Sequence, residues 1–315
     1  QNNGVNSWGG GIHLANMSWS KITNNTIRNN SAGSGGGLYL APFRGEVVNN
    51  VISNNSSMTF WGGGIYAEIH KGKIENNIVK DNKGKLGGGG LAINDSWVTE
   101  TNYPQIVISG NLIKNNFAES GGGIYLKESK LSLYGNTIED NTAVVGGGIA
   151  YLNLGGQIAN NIIQNNTAKS SGGGISGNIW SSNNSEIIIS HNLILANIAG
   201  TEYLGHGGGG IFISGEAMIT NNVIKQNNTP SGNGGSVFIY ENGKPKINNN
   251  IIVENGGIYE IYNSMTEIDA SNNWWGTTDT SIIDSKIYDY ADDFKKGKVI
   301  YTPIATSEIQ NAGIQ

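Results

Sequence analysis

The stretch that decides the fold is GGGIYLKESKLSLYGNTIEDN, residues 121–141. A glycine triplet comes first, and after it Ile124 and Leu126 alternate with Tyr125 in the period of two expected of a strand with one buried face. The motif Asn-x-Ile-x-x-Asn follows, from Asn136 to Asn141. The stretch therefore predicts one coil of short strands joined by turns.

The same two motifs recur along the chain. The aliphatic residue after the glycine cluster stands at Ile12, Leu38, Ile65, Leu91, Ile124, Ile149, Ile175, Ile211 and Val237. The Asn motif begins at Asn25, Asn50, Asn77, Asn111, Asn136, Asn161, Asn192, Asn222 and Asn250. Each unit is too short to bury an apolar face by itself, so neighbouring units must stack and share one core.

Stacked coils of this kind predict an all-β fold, a single-stranded right-handed parallel β-helix of about ten coils over residues 1–276. At the usual inter-strand spacing of about 4.8 Å the rod would be on the order of 45 Å long. The second asparagine of each motif is predicted to form a structural ladder, in which stacked amides donate and accept along the axis. Its members are Asn30, Asn55, Asn82, Asn116, Asn141, Asn166, Asn197, Asn227 and Asn255.

The last residues, 277–315, differ from the repeat and predict a cap and tail. Trp274 and Trp275 provide bulky rings at the end of the core. Apolar residues recur at helical spacing over 281–296, which predicts a helix, and residues 298–303 predict a final strand. A terminal coil needs such a cover, because its exposed edge would otherwise pair with another chain.

Composition excludes several classes of protein. Charged residues make up only 14% of the 315, against roughly 25% in ordinary globular domains. The net charge is −5 and the 19 Lys and Arg are scattered, which argues against nucleic acid as a partner. No apolar run is long enough to predict a membrane span. Cysteine is absent and the histidines lack metal-ligand spacing, so neither a cofactor nor a metal is expected. The start on Gln1 suggests a processed or excised chain.

Two coils are interrupted at the same turn. The step from leading aliphatic residue to Asn motif is 20 residues after Leu91 and 17 after Ile175, against 11 to 13 in ordinary coils. A third insertion lies near residues 201–206. Loops at one edge of a rigid scaffold are where function usually resides. Their candidate residues are Trp97, Glu100, Tyr103, Trp180, Glu202, Tyr203 and His206.

Between these loops runs a stripe of outward-facing residues, one per coil, directly after each leading aliphatic residue. The stripe reads His13, Tyr39, Tyr66, Ala92, Tyr125, Ala150, Ser176, Phe212 and Phe238. Aromatic faces beside polar groups suit sugar rings, but aromatic neighbours also stabilise a sheet simply by stacking. The predicted ligand-binding residues are Tyr66, Glu68, Trp97, Tyr103, Tyr125, Lys127, Trp180 and Tyr203.

Catalysis has weaker support in the sequence. A β-helix enzyme acting on acidic polysaccharides needs clustered carboxylates to hold calcium or to serve as acid and base. Acidic residues in the repeat are instead spread about one per coil. The weak catalytic candidates are Glu100, Lys127, Glu128, Glu202 and His206.

The alternation of Gly-Gly-Gly-Ile with Ile-x-x-Asn over residues 9–255 resembles the repeat of chlamydial polymorphic outer-membrane proteins. The ending Asn-Asn-Trp-Trp-Gly, residues 272–276, is similar to the close of many secreted right-handed β-helix repeat proteins. The resemblance implies the β-helix fold and a wide functional group that includes adhesins and carbohydrate-active enzymes.

Three functions follow as hypotheses. The first is a secreted or cell-surface structural or adhesive protein that binds polysaccharide or cell-surface glycans. The second is a polysaccharide lyase or glycoside hydrolase. The third is an extracellular filament, in which copies of the chain stack end to end as a homo-oligomer.

Overall fold

Most coils follow one path through a glycine turn, two strands, an asparagine turn, a third strand and a second asparagine turn, and some add a short fourth strand after it. The computed structural model describes residues 7–15, 19–94, 106–128, 130–153, 155–178, 187–200, 202, 207–230, 232–241 and 243–315. Within these residues no helix has the length and apolar character needed to cross a bilayer.

The secondary structure consists of short strands and one short helix. The strands of the first half are β1 Ile12–Leu14, β2 Trp19–Thr23, β3 Thr26–Arg28, β4 Ser31–Ala32, β5 Leu38–Val48, β6 Val51–Ser53, β7 Ser56–Ser57, β8 Ile65–Glu75, β9 Ile78–Lys80, β10 Leu91–Asn94, β11 Ile106–Ser109, β12 Leu112–Lys114, β13 Phe117–Ser120, β14 Ile124–Lys127, β15 Lys130–Tyr134, β16 Thr137–Glu139 and β17 Thr142–Val145. Those of the second half are β18 Ile149–Leu152, β19 Gly155–Ala159, β20 Ile162–Gln164, β21 Thr167–Ser171, β22 Ile175–Asn178, β23 Ile187–Ser190, β24 Leu193–Leu195, β25 Ile211–Ser214, β26 Ala217–Thr220, β27 Val223–Lys225, β28 Val237–Ile239, β29 Lys246–Asn248, β30 Ile251–Val253, β31 Ile261–Asn263, β32 Ile268–Asp269, β33 Ile287–Tyr288 and β34 Val299–Ile300, with α1 Thr280–Asp284 preceding β33.

All named strand pairs are parallel, and each strand pairs with its counterpart in the next coil. An 18-stranded sheet contains the first two strands of the coils up to β29, together with β31 and β33, and the long strands β5 and β8 pass through both rows. The third strands form a nine-stranded sheet from β3 to β30. The predicted all-β parallel β-helix is confirmed.

The core is one continuous cluster of inward-facing aliphatic side chains. A single coil contributes Ile124 and Leu126 from its first strand, Leu131 and Leu133 from its second, and Ile138 from its third, all at most 4% exposed. Equivalent residues of the neighbouring coils lie directly above and below, because the strands pair in register. Stacking therefore buries the apolar face that one coil could not bury alone.

The glycine triplet is required by its turn. Gly121 adopts a left-handed φ of 62°, and a Cβ at Gly123 would lie 2.7 Å from the carbonyl oxygen of Gly148 in the next coil. The first glycine therefore makes the turn, and the third allows the backbones of two coils to approach.

Two asparagine ladders run along the rod. In the ladder through Asn141, the Asn116 backbone N–H and Nδ2 both donate to Asn141 Oδ1, at 2.9 and 3.0 Å. The same pattern repeats from Asn30 to Asn255, and a parallel ladder runs from Asn25 to Asn273. The residue before each ladder asparagine adopts a left-handed φ, as at Asn49 (58°) and Asn54 (54°). Many Asn-Asn pairs therefore combine a turn residue with a ladder residue.

The predicted helix over 281–296 is wrong in length, since α1 ends at Asp284. Ile287 instead continues the core as part of β33, which pairs with β31. The carboxylate of Asp289 then accepts the backbone N–H groups of Ala291 and Val299, at 2.8 and 2.7 Å. A side chain that bonds local backbone groups competes with the helix, so the chain turns, and Phe294 is 75% exposed.

The residues of the predicted cap pack against the last coils of the repeat. Trp275, 1% exposed, packs in the core cluster with Ile283, Ile287 and Val299, whereas Trp274 is half-buried and bridges Ile251. The final predicted strand is limited to β34, which pairs with β32. The end of the core is thus filled by apolar side chains from beyond the repeat.

Candidate ligand-binding site

The outer row is the set of residues directly after each leading aliphatic residue, together with their counterparts in β31 and β33. Strand register stacks His13, Tyr39, Tyr66, Ala92, Tyr125, Ala150, Ser176, Phe212, Phe238, Tyr262 and Tyr288. These side chains point away from the core because alternate residues of a strand face opposite sides of its sheet.

Most of the outer row is buried, although the sequence predicted a solvent-facing stripe. Tyr66 is 6% exposed, Tyr125 9% and Phe238 3%. The rings cover one another: the centroids of Tyr39 and Tyr66 lie 5.1 Å apart, and those of Phe238 and Tyr262 lie 4.7 Å apart, with nearly parallel planes. Stacking along the row therefore stabilises the sheet, as the simpler interpretation of the stripe predicted.

The stack is interrupted at Ala92. Because β10 lies between β8 and β14, this alanine occupies the level between Tyr66 and Tyr125. Trp61 enters from the preceding turn and stacks on Tyr125, with ring centroids 4.7 Å apart. A small cavity of about 40 Å³ remains beside the Trp61 ring and is here called the Ala92 gap. Its lining residues are Trp61, Tyr66, Ala92, Ile93, Asn94, Tyr125 and Lys127.

Polar groups surround the Ala92 gap. The hydroxyl of Tyr66 donates to Glu68 Oε1 at 2.7 Å, and burial together with this bond raises the pKa of Tyr66. Lys127 Nζ lies 3.5 Å from Glu128 Oε1. Among the described residues, Asn94 Oδ1 is buried without a hydrogen-bond partner. The gap thus offers an acceptor, an ammonium group and two nearby carboxylates.

An exposed aromatic surface adjoins the gap. The ring centroid of Trp8 lies 5.1 Å from that of Tyr39 and 6.0 Å from that of Phe60, whose ring is nearly parallel. The side chains of Trp8 and Phe60 are 48% and 39% exposed. We call Trp8, Tyr39, Phe60 and Tyr66 the aromatic platform. It leads from the first coil to one wall of the Ala92 gap.

The structure brings together four of the predicted ligand-binding residues, namely Tyr66, Glu68, Tyr125 and Lys127. The others, Trp97, Tyr103, Trp180 and Tyr203, lie outside the described residues. Trp8 and Trp61 were missed. A recognisable signal existed, since each stands directly before a glycine triplet.

The predicted catalytic residues do not form one cluster in the described part of the chain. Lys127 pairs with Glu128, while Glu202 pairs with Lys169 of β21, on a different sheet, at 2.8 Å. Glu100 and His206 lie outside the described ranges. Across those ranges, no group of three or more His, Asp or Glu is placed to hold a metal ion.

A family model described as a right handed beta helix region matches residues 1–194 and 98–231. Together the two matches span most of the repeat. No curated protein and no solved structure matches the chain.

Proposed function

Because this chain belongs to the right-handed β-helix family, we propose that it is a rigid structural rod, secreted or at the cell surface, that holds glycans on its aromatic platform. The matched family establishes the fold, whereas function depends on the site that the fold carries.

The observation that supports glycan binding most strongly is the exposure of Trp8 and Phe60 beside the well-covered aromatic outer row. Burying each ring would remove apolar surface from water, yet the two lie 48% and 39% exposed. The C–H faces of sugar rings stack on such surfaces, while neighbouring polar groups bind their hydroxyls.

A secreted or surface location is supported by composition and by the repeat. Only 14% of residues are charged, and the alternating Gly and Asn motifs resemble those of exported repeat proteins. A rod of stacked coils also holds a binding surface at a fixed place without a large globular core.

Sedimentation with insoluble polysaccharides tests this proposal. We expect the wild-type chain to bind at least one of cellulose, chitin, β-glucan or mannan, and the double variant Trp8→Ala/Phe60→Ala to bind at least about tenfold more weakly. Trp19→Ala is the matched control, because Trp19 is 54% exposed on β2, outside the platform. Equal binding by the double variant and the wild type, or no binding to any of these polymers, would contradict the proposal.

The other two hypotheses have less support. Within the described residues the catalytic candidates form ion pairs in separate places. For the filament, apolar side chains from residues after the repeat pack in the same core cluster as the coils, so end-to-end stacking would have to occur over these residues. Both remain predictions.

A further inference from the structure

We infer that the chain forms a weak side-by-side dimer, in which one face of the rod packs against the same face of a second copy in antiparallel orientation. The face is the outer side of the nine-stranded sheet over its first five strands, β3, β6, β9, β12 and β16. The aromatic platform lies on the other large sheet, so this inference does not depend on glycan binding.

An aliphatic row runs along the outer side of the nine-stranded sheet. The middle residue of each strand points into the core, as Ile27 and Ile113 do, so the first residue of each strand points outward. Strand register stacks these first residues along the rod as Thr26, Val51, Ile78, Leu112, Thr137, Ile162, Leu193, Val223 and Ile251. We call this set the aliphatic row, since seven of its nine members are Val, Ile or Leu.

The C-terminal tail packs on the far part of this row. Gly313 N donates to the carbonyl of Asn221 at 2.8 Å, and a Cβ on Gly313 would lie 3.1 Å from the side chain of Val223. In the strand after Val223, Ile251 faces outward and is nevertheless only 9% exposed. Ile78 holds the same position in the third strand and is 38% exposed. The aliphatic row is therefore covered in one part and open to solvent in another.

The open part of the row reads nearly the same in both directions. Its members are Thr26, Val51, Ile78, Leu112 and Thr137. A two-fold axis through Ile78, perpendicular to the rod, would place each threonine against a threonine of the second copy and Val51 against Leu112. A dimer with two-fold symmetry needs a self-complementary patch of this kind.

The charges beside the row fit the same symmetry. The third residue of each strand also points outward, and in these five strands the residues are Arg28, Ser53, Lys80, Lys114 and Glu139. The two-fold axis places Arg28 of each copy opposite Glu139 of the other, so an ion pair stands at each end of the apolar contact. Lys80 meets its own counterpart near the axis, but Asp81 lies 3.8 Å from its ammonium group and offsets the repulsion.

The length of the open part limits the strength of the dimer. Gln315 N donates to Asn160 Oδ1, beside the sixth strand, so the contacts of the tail begin there. The five open strands span four steps of about 4.8 Å, or about 19 Å. A contact of this length buries less than the roughly 1,200 Å² of a standard interface. We therefore expect a reversible dimer that dissociates in the micromolar to millimolar range.

Sedimentation velocity of the full chain from about 10 µM to about 1 mM covers this range. We expect a monomer that converts to a dimer as the concentration rises. Ile78→Lys should lose the dimer, because it places two ammonium groups at the axis. Phe117→Lys is the matched control, since Phe117 is 37% exposed on a different sheet, and it should dimerise as the wild type does.

Crosslinking locates the axis. The chain has no cysteine, so Ile78→Cys introduces a single thiol. Under mild oxidation we expect a covalent dimer, because the two thiols meet across the axis. Phe117→Cys, treated in the same way, should remain monomeric. Circular dichroism of both variants verifies that the fold is intact.

Exchanged charges test the antiparallel orientation. Arg28→Glu and Glu139→Arg should each dimerise more weakly than the wild type, because each places like charges opposite one another. An equimolar mixture of the two variants should regain the dimer, since every Glu at one end then faces an Arg at the other. A parallel dimer would not be restored by mixing.

A chain that stays monomeric up to about 1 mM, or equal crosslinking of Ile78→Cys and Phe117→Cys, would overturn the inference. A mixture of the charge variants that does not dimerise would overturn the antiparallel orientation. A dimer whose scattering profile shows twice the length of the rod would mean that the copies stack end to end, which also contradicts the inference. Ile78→Lys should still bind polysaccharide as the wild type does, so either proposal can fail while the other stands.

Discussion

The large side chain of Tyr151 packs directly against Gly177 of the next coil. Tyr151 replaces the leucine of the preceding coil, Leu126, in an inward-facing row, and it is 2% exposed. Its hydroxyl is buried without a partner among the described residues, and burial raises the pKa of Tyr151. Gly177 follows in the next coil, and a Cβ there would overlap the tyrosine ring. The glycine therefore provides the room that the ring needs.

This pairing predicts a strong dependence of one substitution on the other. Gly177→Ala should lower the free energy of unfolding by about 1–3 kcal/mol, because it overpacks the core. In a Tyr151→Leu background the same substitution should cost close to nothing. Urea unfolding of the four proteins in a double-mutant cycle measures the difference. An equal cost in both backgrounds would show that the two side chains do not compete for space.

Residue-level detail was only partly predictable. The alternation of Ile124 and Leu126 with Tyr125 fixed which side chains face inward, because strand periodicity requires it. The Ala92 gap was not predictable, because its shape depends on how Trp61 folds back from another turn. A single sequence shows which residues share a row but not which side chain fills the space left by a small one.

The asparagine ladder is the element that holds consecutive turns together. Asn141 is fully buried. It accepts two bonds from Asn116, and its Nδ2 donates to Asn166 Oδ1 and to the carbonyl of Ile113, both at 3.0 Å. Losing this side chain would leave several buried polar groups without partners.

Asn141→Ala should therefore lower the free energy of unfolding by about 3 kcal/mol or more. Gln157→Ala is a matched control, since it removes an exposed amide bonded to Ser132 and should change stability by less than about 0.5 kcal/mol. Thermal unfolding followed by circular dichroism compares the two. Similar losses in both variants would mean that the ladder contributes no more than a surface amide.

A carboxylate ends one ladder. Asn255 Nδ2 donates to Glu260 Oε2 at 2.8 Å, at the place where the next asparagine would stand. Glu260 is 4% exposed, and Lys286 Nζ lies 3.9 Å from Oε1. Burial raises the pKa of Glu260, although Asn255 and Lys286 oppose this effect.

The raised pKa of Glu260 makes the stability of the fold depend on pH. The folded state holds the proton more tightly than the unfolded state, so this group stabilises the fold below its unfolded pKa of about 4.3. That contribution is lost as pH rises through the folded pKa. Glu260→Gln keeps an uncharged acceptor for Asn255. As pH rises, the free energy of unfolding of this variant should therefore fall less than that of the wild type. Urea midpoints measured from about pH 4 upward test this, and parallel pH profiles would contradict it.

The sequence predicts the repeated strands better than the structure of the residues that follow the repeat. The repeated strands followed from periodicity over many coils, and errors in one coil were corrected by its neighbours. The cap occurs once, so the helical spacing over residues 281–296 had no such check. Tertiary pairing of Ile287 with Ile261 and the turn around Asp289 determined its structure instead.

At the scale of the whole molecule, the C-terminal tail runs back along the rod. Ala305 N donates to the carbonyl of Asn273, Gly313 N to that of Asn221, and Gln315 N to Asn160 Oδ1. The tail therefore contacts turns that are several coils apart.

Removing residues 306–315 should loosen the coils that the tail crosses. Each lost hydrogen bond contributes about 1 kcal/mol, so we expect the melting temperature to fall by a few degrees. Hydrogen exchange should become faster in turns near Asn160 and Asn221, while turns near Asn50 keep their protection. An equal change in exchange rate along the whole rod, or no change, would show that the tail does not stabilise these coils.

We propose that this β-helix binds glycans on the aromatic platform of Trp8, Tyr39, Phe60 and Tyr66. A crystal structure of the chain grown with an oligosaccharide of the best-binding polysaccharide tests this proposal most directly. We expect density for sugar rings against the exposed rings of Trp8 and Phe60. An unoccupied platform at saturating oligosaccharide, or a glycan bound elsewhere on the rod, would contradict the proposal.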